Sequence, residues 1–86
     1  MNKRYFTYII RCKNGILYTG YTNDLVKRIA QHNENKGAKF TRGRGPVALV
    51  YFEEFPTRGE AMAREIKIKR LSRPEKEKLI SGDESE

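Results

Sequence analysis

The sequence predicts a small α+β domain: a three-stranded antiparallel sheet flanked by helices, in the order ββαβαα. Three observations predict it. An Asn-Gly dipeptide separates two strand-like runs, a third aromatic and β-branched run follows a Gly/Pro-rich loop, and two helix-opening signatures follow that run. The 86 residues and 10.0 kDa leave room for one domain, expected over 1–80, with an acidic flexible tail at 81–86. A chain of this size buries only about 60–65% of the surface that its unfolded form exposes, so the core must be compact.

Tyr5 to Cys12 is rich in aromatic and β-branched residues and reads as the first strand. Lys13-Asn14-Gly15 turns the chain, and Ile16 to Tyr21 pairs back antiparallel. Thr22 or Asn23 caps the next helix, with Asp24 in its first turn, where the macrodipole favours an acid. Leu25, Val26, Ile29 and Ala30 form its apolar stripe, which fades near Asn33 to Asn35. Residues 37–46 hold four Gly/Pro and read as an exposed loop. Val47 to Phe55 is the third strand, and its nearly continuous apolar run predicts a more buried place than the hairpin. Pro56 stops it. Thr57 to Glu60 fits a capping box and opens a helix to about Arg70; Ser72 to Glu75 repeats the device and opens a last helix that ends before Gly82.

Charge points to a partner class. Eighteen Lys and Arg against eleven Asp and Glu give +7, and three of the acids lie in the last four residues. Residues 1–80 thus carry 18 basic and 8 acidic side chains, a net of +10. A small domain that basic meets phosphate, nucleic acid first and anionic membrane second, unless the charge serves only solubility. No apolar run approaches the roughly 18 residues of a membrane span, and the stretch after Arg4 is too short for a signal peptide. Cys12 is alone in a predicted strand, so it reads as a small buried hydrophobe in a reducing cytoplasm.

Several residues have the makings of a site. Arg28 and His32 are four apart, hence on one helix face. Tyr8 and Tyr18 lie on adjacent strands, so their rings can share one side of the sheet. Together these groups can bind and polarise a phosphate, although they also fit an ordinary packed sheet beside a solvated helix. On the second helix, at about 100° per residue from Ala61, Glu65 falls at about 40° and Lys69 at about 80°, inside an apolar sector made by Ile68, Met62 and Ile66. Carboxylates are seldom buried unpaired, so Glu65 either lies over the sheet in an ion pair with Lys69 or holds a divalent cation. The loop that carries Lys36, Lys39, Phe40, Arg42 and Arg44 has no acid between its cations, which suits contact with nucleic acid as well as simple solvation.

Phe6-Thr7-Tyr8, Tyr18-Thr19-Gly20, Arg28, His32 and Glu65, taken as an ordered set, resemble the GIY-YIG nuclease superfamily and in particular its small stand-alone bacterial members. The resemblance spans roughly Tyr5 to Leu79. The two motif tyrosines are ten residues apart, and both are kept although the first motif lacks its glycine and Thr19 replaces isoleucine in the second. The resemblance implies a sheet flanked by helices with one divalent metal, Mg2+ or Mn2+, on Glu65. It also implies hydrolysis of DNA phosphodiester bonds, in repair or recombination. Tyr8 and Tyr18 would activate or orient a water, Arg28 would neutralise phosphoryl charge, and His32 would assist by hydrogen bonding. No stretch resembles the accessory DNA-binding domains of larger relatives, so a protein partner is expected to supply specificity. DNA is the expected ligand ahead of RNA, and no membrane role is expected. The competing readings are a non-catalytic nucleic-acid-binding module on the same scaffold and a basic protein that binds RNA or an acidic partner.

Overall fold

The computed structural model of the chain describes residues 4–34 and 46–82; the basic loop from Lys36 to Arg44 and residues 83–86 of the expected tail lie outside the described residues, whereas Ser81 and Gly82 end the last helix. Six elements follow the predicted order: β1 (Tyr5–Arg11), β2 (Leu17–Thr22), α1 (Leu25–Asn33), β3 (Ala48–Phe55), α2 (Arg58–Lys69) and α3 (Arg73–Ser81). The sheet is antiparallel, with β1 between β2 and β3. At the hairpin, the Gly15 N–H donates to the Cys12 carbonyl and the Cys12 N–H to the Ile16 carbonyl, each at 2.8 Å. Gly15 takes a φ of 88°, a left-handed conformation that a side chain would strain. No helix among the described residues is long and apolar enough to cross a membrane.

The sheet buries both faces of its central strand. On one face Tyr8, Ile10, Cys12 and Val47 form a cluster against which Tyr18 and the α1 residues Leu25 and Ile29 pack. The other face presents Thr7 and Ile9 to α2, where the Thr7 hydroxyl donates to the Ala61 carbonyl at 2.7 Å. Arg11 ties α3 to the sheet through a two-pronged bond to Glu77, both contacts at 3.0 Å. Arg73 also donates to Glu77, and reaches the Gly15 carbonyl of the hairpin turn.

Three expectations are corrected. β3 is an edge strand and not the buried one: it pairs with β1 alone, and Leu49 and Phe52 stay exposed, Phe52 at 49%. A bulge between the Ile9 and Ile10 pairings inserts an extra β3 residue, which puts both Leu49 and Phe52 on one face and produces the unbroken apolar run. The N-cap of α1 is Asp24, whose carboxylate accepts from the Lys27 N–H at 3.1 Å; Thr22 holds the Asp24 N–H instead of capping. On α2 the inward strip is Ala61, Glu65 and Ile68, while Met62 and Ile66 are exposed. Pinned by the Thr7 bond to the Ala61 carbonyl, the helix turns a narrower strip to the sheet than its apolar residues describe.

Candidate active site

The hairpin register builds the floor of the site. Tyr8 faces Gly20 and Ile10 faces Tyr18, so both tyrosines stand on the α1 side of the sheet. A Cβ at Gly20 would lie 2.6 Å from the Tyr8 hydroxyl and 3.2 Å from the Tyr18 ring, so only glycine leaves room for these two side chains. This gives the glycine of the second motif a physical role that the sequence spacing leaves unexplained.

α1 lays His32 directly over the tyrosines. His32 is 0% exposed, its Nε2 is 3.1 Å from the Tyr8 hydroxyl, and its ring meets both Tyr8 and Tyr18 edge to face. Burial, then the nearby Arg28 charge, hold the imidazole below its ordinary pKa. A neutral imidazole accepts through one ring nitrogen, and the Tyr8 hydroxyl is the donor that faces it. Tyr8 is 1% exposed, and burial pushes its hydroxyl above the ordinary value against the pull of Arg28. At neutral pH Tyr8 therefore keeps its proton. Arg28, one turn before His32, donates to the Gln31 side-chain oxygen at 3.1 Å.

A cleft of about 690 Å³ brings the parts together. Tyr8, Tyr18, Arg28 and Glu65 line it, with Gly20, Lys27 and Gln31. Four of the five predicted catalytic residues thus border one cavity, and the fifth, His32, sits beneath it on Tyr8. Glu65 arrives from α2; its side chain is 16% exposed and 3.4 Å from the Lys69 ammonium, itself 53% exposed. Both alternatives for Glu65 are therefore physically present: an ion pair with Lys69 and a carboxylate that borders the cleft. The predicted nucleic-acid contacts Lys36, Lys39, Phe40, Arg42 and Arg44 lie outside the described residues. The ends of that loop are nonetheless fixed, because the Asn33 side chain accepts from the Val47 N–H at 2.6 Å immediately after His32.

Sequence reasoning missed Tyr5, Tyr21 and Arg58, which also line the cleft. Tyr21 and Arg58 meet at 3.5 Å across 37 residues of chain. The one signal for them was a third tyrosine next to the second motif, which alternation assigns to the opposite face of the strand from Gly20.

The ordered set of residues that resembles one nuclease superfamily thus gathers around one cleft. The chain belongs to the GIY-YIG catalytic domain family, whose sequence profile matches residues 4–78. Among its relatives, UPF0213 protein CPE1444 of Clostridium perfringens is 58% identical over 77 residues, 90% of this chain and 83% of that protein. UPF0213 protein OB0043 of Oceanobacillus iheyensis is 49% identical over 86 residues, the whole of both chains. The solution NMR structure of UPF0213 protein BH0048 from Bacillus halodurans aligns with a TM-score of 0.60 at 50% identity, over 93% of this chain and 85% of that one. The solution NMR structure of EF2693 from E. faecalis aligns with a TM-score of 0.61 at 32% identity, over 98% and 91%.

Proposed function

We propose that this protein is a metal-dependent endonuclease that hydrolyses DNA phosphodiester bonds, acting in repair or recombination. The observation that carries the proposal is the Tyr8–His32 contact at 3.1 Å beside a cleft that Arg28 and Glu65 also border. A buried phenol–imidazole pair whose phenol lines the cleft supports proton transfer at a bound phosphate, for which binding alone has no need.

Glu65 suits a hard cation. Mg2+ binds through one or two carboxylates and completes its shell with water and substrate phosphate, and Glu65 is a largely buried carboxylate on the cleft. Among the described residues no three His, Cys, Asp or Glu cluster, so Glu65 would be the protein's contribution to a site shared with the substrate. When bound there, the cation would neutralise charge on the phosphoryl oxygens and make a bound water more acidic.

The chain's own groups do the rest. Tyr8 and Tyr18 orient the attacking water over the phosphorus. As the water attacks, it passes a proton to the Tyr8 oxygen while Tyr8 passes its own to His32 Nε2, so no free phenolate is needed. The raised pKa of Tyr8 and the lowered pKa of His32 favour this relay over a standing tyrosinate. The new P–O bond forms as the P–O bond to the ester oxygen breaks, and the leaving oxygen takes a proton from solvent. The relayed proton on His32 returns to solvent through Tyr8, and the Arg28 guanidinium compensates the charge that accumulates on the non-bridging oxygens.

The test is single-turnover cleavage of duplex, single-stranded and branched DNAs with Mg2+ or Mn2+. Glu65→Gln is expected to lower cleavage at least about 100-fold while DNA binding stays intact or tightens slightly. Because its partner Lys69 is half-exposed, the same variant should melt within a few degrees of wild type. Wild-type protein that cleaves none of the panel with either ion would favour the binding-module reading.

A further inference from the structure

Six of the seven arginines among the described residues fall into two groups. Arg4, Arg11, Arg64 and Arg73 form ion pairs with Glu54, Glu77, Glu53 and Glu77 at 2.6 to 3.0 Å. The two arginines that line the cleft contact neutral groups: Arg28 donates to Gln31, and Arg58 donates to the Tyr21 hydroxyl at 3.5 Å. A guanidinium that lines the cleft without an ion pair to either of its carboxylates, Asp24 and Glu65, is set to receive an external anion.

The two stand on different sides of β2. Arg28 comes from α1, on the face of Tyr8 and Gly20. Arg58 opens α2 and meets Tyr21, which the register pairs with Thr7 and so places on the opposite face. The cleft therefore wraps around an edge strand, with one guanidinium at each side. Tyr21 accepts from Arg58 and keeps its own O–H to donate, so the pair offers a phosphate both a charge and a neutral donor. Tyr5 lines the same cleft.

We propose that Arg58 and Tyr21 form a second phosphate subsite, which holds the phosphodiester next to the scissile one on the same strand. The ligand class is thus a strand with at least two successive phosphodiesters, laid over the β2 edge with one phosphate at Arg28 and its neighbour at Arg58. This rests on the nuclease reading for which phosphate is cut, but the binding geometry is independent of turnover.

The experiment is an NMR titration of the full chain with thymidine dinucleotide, which has one phosphodiester, and with the trinucleotide, which has two. In wild type the second phosphodiester should tighten binding about tenfold, and amide shifts should extend from α1 to Tyr21 and Arg58. Arg58→Gln should bind the two ligands within about twofold of each other, and Tyr21→Phe should fall between. The spectra themselves report that each variant is folded. An Arg58→Gln protein that keeps the full gain from the second phosphodiester, or a wild type that gains nothing, overturns the subsite. Cleavage of DNA, measured separately, judges the nuclease reading, so the two fail independently.

Discussion

Gly20 and Tyr8 interlock across the hairpin, and the site depends on that fit. Gly20→Ala would drive a methyl into the Tyr8 hydroxyl, 2.6 Å from where its Cβ must sit. Because Tyr8 is packed beneath α1 and cannot swing freely, the expected cost is about 1–3 kcal/mol of stability, read from thermal or urea melts. Displacement of the phenol by even about 1 Å should lower single-turnover cleavage about 100-fold. On the proposed relay, His32 is expected to set the acid side of the pH profile. Its folded pKa lies below the unfolded value of 6.5, so the neutral form that accepts from Tyr8 persists as the pH falls through 6.5 and is lost only below its own pKa. Cleavage should decline with a midpoint under 6.5. The unfolded chain binds the proton first, so stability is complete above 6.5 and falls as pH drops below it. A cleavage midpoint above 6.5 would remove His32 from the relay. At this scale much was legible in the sequence, because the hairpin turn and strand alternation put Tyr8 and Tyr18 together and helix spacing joined Arg28 to His32. Arg58 and Tyr21 were not legible, since nothing local to either residue records a contact between a strand end and a distant helix start.

Hydrogen-bonded polar pairs help to fix where the elements sit. Asn33 holds the start of β3, Thr7 sets the rotation of α2, and the Arg11–Glu77–Arg73 fork fastens α3 to both the sheet and the hairpin turn. The two arginines pull the Glu77 carboxyl down from 4.5 to about 2, with Arg11 contributing most. A carboxyl depressed on folding contributes stability that is full above about 4.5 and is lost as the pH falls through about 2. Urea midpoints of wild type and Glu77→Gln should therefore differ at pH 7 and converge toward pH 2. A difference that is the same at both pH values would mean that Glu77 acts by packing and not by charge. Capping signals placed α2 and α3 well from sequence, because a cap is a local event spelled out by neighbouring residues. The rank of β3 in the sheet was misread for the opposite reason: an apolar run reports how hydrophobic a strand is, and only the pairing partners decide whether it stands in the middle.

For the molecule as a whole, charge is divided between fastening and binding. Glu53, Glu54, Glu65 and Glu77 are engaged with cations of the same chain, and Asp24 and Glu75 with backbone N–H groups at helix starts. Residues 1–80 carry an excess of ten positive charges, which suits an anionic partner. DNA binding should weaken steeply with salt. Replacing Lys39, Arg42 and Arg44 together should flatten the slope of log K against log salt by up to about 0.9 for each duplex phosphate that the variant no longer neutralises. An unchanged slope in the triple variant would move the main binding surface onto Lys27, Arg28 and Arg58.

The position of β3 has a further consequence for how copies of this protein coexist in solution. A strand with one unused edge and an exposed Phe52 is a template for another chain to extend. Glu53 and Glu54 follow each other on it, one on each face, and are held in ion pairs with Arg64 and Arg4, so charged groups flank this edge on both faces. Charged side chains on a strand edge disfavour its extension by another chain.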